Sequence, residues 1–404
     1  MRTVIILLLL IWFAGLASAQ PPDTLWTRSF GNEQGAYEPF LDVVSADTDG
    51  GFFIGGLCCR TMYHGDFYSR GYVARMDQSG LVMWGREIAG YYVGTEVYDL
   101  WPMPDGGVTA ACAAGEGIWT ITTGLIRYSA GGAALLNITY DNGPWPQSDT
   151  TIAIARTSDG GFALIGWPQI GWPPCSTQVL KVDSAGTELW RRSWPGRDLC
   201  TISALPDHGF LLAGGRGFSL CRLDSVGDSL WTRHVFADTM ARCMRMTLSP
   251  TGTFLLVGST GMDAHGEAVV VRNDGDTLWT RHYDFSLPIV AAVHCAEGGF
   301  ILLSDRLIRI DMSGDTLWTQ ALPSANCLWK SVTQTTDSGV VVGGNALPYY
   351  DEIFLVKFAR EGLSADPRVI THPASFALQA FPNPFNPTTT LSCSSSAPLG
   401  QLAQ

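Results

Sequence analysis

The feature that most constrains this chain is a phrase that comes round seven times. A turn followed by Leu-Trp or Met-Trp ends at Arg28 in DTLWTR, at Arg86 in DQSGLVMWGR and at Arg192 in KVDSAGTELWRR. It returns in RLDSVGDSLWTR at Arg233, RNDGDTLWTR at Arg281 and RIDMSGDTLWTQ at Gln320, and a degenerate copy, RYSAGGAALLN, puts Leu136 where the others carry Trp. The marker positions are 26, 84, 136, 190, 231, 279 and 318, about 49 residues apart on average. A second phrase interleaves strictly with the first, at Asp49–Phe52, Asp105–Val108, Asp159–Phe162, Asp207–Phe210, Thr251–Phe254, Glu297–Phe300 and Asp337–Val340. Two interleaved markers define seven units.

Each unit holds four short apolar-alternating runs. In the third they are TIAIART, GFALIG, TQVLKVD and TELWRRS, with Ser-Asp-Gly-Gly and Ser-Ala-Gly as turns. Runs of this length suit strands and are too short for helices, and Gly in the turns accepts the positive φ of tight hairpins. Four strands at this period describe a propeller blade, so the expected fold is all-β: a seven-bladed β-propeller of four-stranded blades over residues 20–360. The first unit starts directly at DTLWTRSF and the last stops at Glu352–Phe358 without a Leu-Trp strand. Joining the N-terminal strand to the last blade would complete both and leave no open sheet edge. The Trp rings are expected to fill the wedge between blades. Arg28, Arg86, Arg192, Arg233 and Arg281, two residues after the marker, and Asp77, Asp183, Asp224 and Asp311, seven before it, recur too regularly for catalysis and are expected to cap turns.

The chain of 404 residues carries 25 Lys and Arg against 37 Asp and Glu, a net charge of −12. With no basic run, it is a poor partner for a phosphate backbone, so nucleic acid is excluded as a ligand. Residues 1–19 read as a signal peptide: Arg2 precedes the apolar run Val4–Phe13, and Ala17-Ser18-Ala19 is a cleavage site of small residues. No other stretch approaches the length of a membrane span, so the mature chain is expected to be exported without one. The ten cysteines are irregularly spaced and include no CxxC pair, which argues against zinc and for one or two disulfides at most.

The phrase KVDSAGTELW resembles the blade motif of pyrroloquinoline-quinone-like propellers, and the likeness covers residues 23–358. It implies a fold; the cofactor and calcium residues of the quinone dehydrogenases have no counterparts here, and no cofactor is expected. After a linker at 361–375 comes FALQAFPNPFNPTTTL. The run Phe381, Pro382, Asn383, Pro384, Phe385, Asn386, Pro387 resembles the opening of the C-terminal sorting domain of type IX secretion cargo, with Phe381 where that family carries Tyr. The resemblance implies passage through the periplasm and delivery to the outer cell surface or medium by the type IX machinery. Residues 376–404 form a shortened version of that domain, ending in LSCSSSAPLGQLAQ.

Phosphate loops, GxSxG and HExxH are absent from the sequence. Asp47-Thr48-Asp49-Gly50 lacks the later acids of a calcium loop and reads as a turn. His234 and His282 occupy one repeat position, and His208 stands where other units have a turn Gly. The asymmetric segments are more informative, because repeat proteins place variation on a binding face. Insertions in units one to three, with Gly90–Thr95 and Tyr140–Asp149 between units, gather Tyr63, Tyr91, Tyr92, Trp119, Trp145, Trp167 and Trp172. Such rings stack on sugars or anchor a protein partner, unless they fold back as small loop cores. The expectation is a secreted or cell-surface non-catalytic binding propeller whose ligand is a polysaccharide or a protein. The alternative is an extracellular glycoside hydrolase or polysaccharide lyase on the same scaffold, which a charged cluster at the channel mouth would favour.

Overall fold

The computed structural model describes residues 21–31, 39–63, 66–88, 93–117, 120–140, 148–169, 176–195, 198–238, 240–260, 265–324, 326–347, 352–361, 376–381 and 390–395. No helix occurs among them. After β1 (Thr24–Gly31), the strands run as four-stranded antiparallel meanders. The first is β2 (Phe40–Ala46), β3 (Phe52–Tyr63), β4 (Asp66–Met76) and β5 (Val82–Ile88). The second is β6 (Val93–Pro102), β7 (Val108–Gly117), β8 (Thr120–Tyr128) and β9 (Ala134–Tyr140), and the third β10 (Ser148–Arg156), β11 (Phe162–Gln169), β12 (Ser176–Val182) and β13 (Glu188–Pro195). The fourth is β14 (Leu199–Ala204), β15 (Phe210–Arg216), β16 (Ser219–Leu223) and β17 (Ser229–His234). The fifth is β18 (Arg242–Leu248), β19 (Phe254–Thr260), β20 (His265–Val271) and β21 (Thr277–Tyr283). The sixth is β22 (Ala291–His294), β23 (Phe300–Leu303), β24 (Arg306–Ile310) and β25 (Thr316–Ala321). The last contains β26 (Cys327–Gln334), β27 (Val340–Ala346) and β28 (Glu352–Phe358), and its fourth place is taken by β1, antiparallel to β28 with Arg28 opposite Leu355. A separate hairpin pairs β29 (Phe376–Phe381) with β30 (Thr390–Ser395).

Successive first strands lie side by side: β2 against β6, then β10, β14, β18, β22 and β26, and β26 lies against β2. Their free edges are satisfied from the neighbouring meander, as buried backbone groups must be. Asn345 Oδ1 accepts from Leu41 N at 2.7 Å, and its Nδ2 donates to Leu41 O at 2.9 Å. Ser331 and Thr333 hydroxyls accept from Val44 N and Ala46 N.

The Trp phrase fastens one meander to the next. Trp26 stacks on Phe52 with centroids 6.1 Å apart, and Trp190 meets Phe210 edge-on at 5.7 Å. Indole Nε1 donates to a carbonyl in the last turn of the following meander: Trp26 to Gln78, Trp84 to Ala130, Trp190 to Ser225 and Trp279 to Met312. Trp318 donates instead to the Glu361 carboxylate at 3.0 Å. Leu136 lacks a donor, and there the Tyr140 hydroxyl reaches Gly186 O at 2.7 Å. The turn glycine is required twice over. Gly132 has φ 77°, and a Cβ on it would lie 2.7 Å from the Trp84 indole. Arginines two residues on reach the same turns, Arg86 to Gly132 O and Arg233 to Asp276. Asp77, Asp183, Asp224 and Asp311 each accept two backbone N–H bonds within their own turn. The recurrent residues are structural, as expected.

Every outermost strand carries a β-bulge just before the Trp position, at Leu25, Met83, Leu135, Leu189, Leu230, Leu278 and Leu317. The extra residue turns outward, and all of these side chains are exposed. A bulge twists an edge strand and blunts its pairing with other chains. This explains an exposed leucine or methionine at each repeat without invoking a partner. Cys112, Cys200, Cys243, Cys295 and Cys327 are thiols, all but Cys200 buried.

Candidate functional site

The antiparallel order places the start of each first strand, the hairpin between second and third strands, and the end of each fourth strand at one end of a meander. The opposite turns touch their counterparts, as when Ser158 Oγ meets His208 Nδ1 at 2.8 Å, so the hairpin ends share a face. On that face the first three meanders overhang. β3 and β4 stay paired out to Tyr63 opposite Asp66, well past the end of β2 at Phe40 opposite Leu57. β7 and β8 pair out to Gly117 opposite Thr120, and β10 and β11 to Ser148 opposite Gln169. In the fourth and sixth meanders pairing stops at Gly214 opposite Ser219 and Leu303 opposite Leu307. Tyr63 ends β3 and Trp167 lies in β11 opposite Thr150. Their side chains, and Tyr91, Tyr92, Trp119, Trp145 and Trp172 entirely, lie outside the described residues. Phe381 ends β29, and Pro382, Asn383, Pro384, Phe385, Asn386 and Pro387 also lie outside them.

A second recurrent set was missed in the sequence. One cation on the third strand, half-buried at Arg127 and buried in the others, meets the acid of the Asp-Gly-Gly turn: Arg75 with Asp49, Arg127 with Asp105, Lys181 with Asp159, Arg222 with Asp207 and Lys357 with Asp337. Arg75 also binds Asp47, so the acids of the calcium-like stretch hold a guanidinium. The signal was present, since Arg75, Lys181, Arg222 and Arg309 each stand two residues before a turn-capping Asp. In the fifth meander Val270 and Thr251 replace both partners, and the hydroxyls of Ser249, Thr251 and Thr253 bond one another. Paired loss of acid and cation marks the set as structural.

The first strands carry bulges of their own. The extra residues are Asp42, Tyr98, Ile152, Cys200, Met244 and Lys330, each seven residues before the turn marker of its unit. Unlike the Trp column, this one varies at every repeat. Asp42 feels the charges of Glu96 on β6, Lys330 on β26 and Arg245 on β18, so side chains from four meanders share one interior. Asp42 Oδ2 is buried and no protein N–H or O–H reaches it; the group beside it is the Glu96 carboxylate, in hydrogen-bond contact. Two carboxylates in contact do not both ionise. Burial first, and then the Glu96 charge, push Asp42 up to about 8 against the pull of Lys330 and Arg245. Asp42 therefore holds a proton at neutral pH and donates it to Glu96. The Tyr98 hydroxyl donates to Glu96 Oε2 at 2.6 Å, and burial and that carboxylate hold its phenol protonated. Asp99 is spent on structure, accepting from Leu100 N and Ile154 N at 3.0 Å each. Lys330 lies 4.9 Å above the Phe40 ring.

Chemically, this interior offers a neutral acid, a hydrogen-bonded carboxylate, a phenol and two cations. It is not the paired-carboxylate arrangement of glycoside hydrolysis, which needs a gap of about 5–9.5 Å between the groups. Ser158 and His208 border a cavity of about 130 Å³ with Lys181 and Asp159. His208 adopts φ 66° there, but Asp159 is committed to Lys181 and no carboxylate orients the imidazole among the described residues, so the pair is not a triad. Among the described residues no three ligating side chains are placed to hold a metal ion.

No protein-family profile and no curated protein sequence matches the chain. Solved structures do. A virginiamycin B lyase from Staphylococcus aureus superposes with a TM-score of 0.55 at 9% identity, covering 82% of this chain and 98% of that one. A catalytically inactive form of the same enzyme with quinupristin gives 0.54 at 10% identity, covering 82% and 99%. At such identities the likeness concerns the fold alone, which is propeller-like.

Proposed function

We propose that this chain is a seven-bladed propeller closed by β1, exported from the cell, and that it acts as a non-catalytic binding module for an extracellular polysaccharide or protein. Ring closure is supported by the succession of first strands that returns from β26 to β2. It is supported too by the fasteners at the seam, where Trp318 holds Glu361 beyond β28 and Trp26 of β1 holds the turn at Gln78. The observation that carries the binding role is the overhang of the first three meanders on one face. The recurrent residues are consumed in holding meanders together, whereas the overhangs, the second and third of which meet where Ser148 pairs with Ile121, carry the aromatic-rich segments. Tyr63, Tyr91, Tyr92, Trp119, Trp145, Trp167 and Trp172 would be the contacts. Residues 1–19 would direct export, and residues 376–404 would engage the type IX machinery and place the protein at the outer surface or in the medium.

A glycan and cell-wall polymer array probed with the full chain, beside a Trp145→Ala/Trp167→Ala/Trp172→Ala variant, tests this reading. Saturable binding that the variant loses, with polymer length unchanged, is the expected result. Silence across the array and against surface-protein extracts would sink it. A second reading, a polysaccharide lyase, is favoured by the interior acid, phenol and cations, a set suited to proton transfer beside a carboxylate; it expects the polymer to shorten with time. No catalytic residue is carried over from the lyases of similar fold.

A further inference from the structure

The turn of the fourth meander departs from the repeat in a way that fastening does not need. At the second position of the Asp-Gly-Gly phrase five units carry glycine, Gly50, Gly106, Gly160, Gly252 and Gly298, all with positive φ, and the seventh carries Ser338. The fourth carries His208 at φ 66°, a conformation that residues with a Cβ rarely adopt. Outliers of this kind gather at sites with a chemical role. His208 Nδ1 lies 2.8 Å from Ser158 Oγ of the preceding meander, although Trp190 already fastens the same two meanders through Ser225 O. Thr48 and Thr336 stand at the Ser158 position of their units, but the imidazole position of the unit that follows each is Gly106 and Gly50. A hydroxyl meets an imidazole in this way at one junction among the described residues. Beside the pair lies the cavity of about 130 Å³, with Ala204 and Leu205 as its apolar wall, and both Ser158 and His208 are open to solvent. In the Nε2–H tautomer, Nδ1 accepts the Ser158 proton, which is the relation of a hydroxyl nucleophile to its base. Lys181 lines the same cavity, but its ammonium is held by Asp159 and Val182 O. With that charge spent and no carboxylate orienting the imidazole, the pair suits a donor that is already activated.

We propose that Ser158 is an acyl-acceptor site, modified once by an activated ester of a short-chain carboxylic acid, with His208 as its base. Oγ forms a bond to the acyl carbon while its proton passes to His208 Nδ1. The bond from the acyl carbon to the donor's oxygen then breaks with its electron pair, and His208 returns the proton to solvent or to that oxygen. The product is an ordinary serine ester, whose alkoxide leaves far less readily than the donor's activated group, so the acyl group stays. The site lies at the turn end of the meanders, opposite the overhangs, and stands or fails independently of the binding-module reading. Incubation of the full chain with p-nitrophenyl acetate, read by mass spectrometry of the Ser158 peptide, is the test. An acetyl group should accumulate on Ser158 and persist after the reagent is removed. His208→Gly restores the residue of five other units; His208→Asn tolerates the positive φ and still accepts a hydrogen bond, but it cannot take the proton. Each should slow the labelling about a hundred-fold or more, the loss of a general base, whereas Thr48→Ala should change nothing. The octanoate ester should label more slowly, its chain being too long for the cavity. Circular dichroism and melting curves establish that each variant is folded, and His208→Asn carries the test if His208→Gly is not. No label on Ser158, unchanged labelling in a folded His208 variant, an acetyl group lost as fast as it is gained, or equal labelling by the octanoate would overturn the proposal. An unlabelled Ser158 together with a lower melting temperature in His208→Gly would show the pair to be a clasp between turns.

Discussion

Asn345 shows how much one side chain carries at a junction between meanders. It is fully buried and replaces a missing ladder by giving and taking one hydrogen bond with Leu41. Asn345→Ala would leave two buried backbone groups unsatisfied at about 1–3 kcal/mol each, and a fall of that order should appear in the urea midpoint. Asp42 has a different signature. An ordinary Asp ionises near pH 4 in the unfolded chain, whereas here the folded chain keeps the proton until about 8. Between those values the folded state binds the extra proton, so stability must fall as pH rises through that window and level off above it. Glu96, Lys330 and Arg245 face the group, and so does the Tyr98 phenol, which stays protonated across the window. Asp42→Asn should abolish most of the slope, so that melting temperatures of variant and wild type diverge from pH 4 to 8. Parallel curves would mean that Asp42 is ionised throughout.

At the scale of the strand, two adjacent positions of the repeated phrase make unequal contributions. Trp318 is buried and bonded to Glu361, so Trp318→Ala should cost about 3–5 kcal/mol. Leu230, next to Trp231 in the same phrase of its unit, is 59% exposed on its bulge, and Leu230→Lys should change stability by no more than about 0.5 kcal/mol. Chemical denaturation of the two variants decides it; a costly Leu230→Lys would show that the bulge leucines are packed in solution. Removing the acid opposite a buried cation belongs to this scale too. Asp337→Ala leaves the buried Lys357 with the Gln78 carbonyl, and because Asp337 is itself 43% exposed the cost should be about 1–3 kcal/mol. Lys181 holds Asp159 down to about 2, so that pair stabilises the fold above pH 4 and loses its effect as pH falls towards 2. Period-two alternation and turn glycines made these strands legible: TIAIART and GFALIG match β10 and β11 to within a few residues. The bulges were not legible, because an extra residue in a strand looks like any other until its partner strand is known. The interior site was hidden for a related reason. Asp42, Tyr98 and Lys330 share a repeat column, but the eye drawn to what recurs passes over the column that changes.

For the whole molecule, the ends of the chain are where the fold is secured. Trp318 and Arg309 both grip Glu361, so a chain ending at Ala359 should melt well below one ending at Asp366. Deleting residues 20–31 should be worse than either, because it uncovers the edge of β28 along its length; scattering on concentration would report the aggregation. The overlap of the ends has a mechanical consequence. A chain held by its C-terminal side is pulled through β28, which is a middle strand flanked by β27 and β1. A pulled edge strand unzips one bond at a time, but here tension must shear two ladders together. Such a tether would yield only at high force and then all at once, behaving as a clasp under flow.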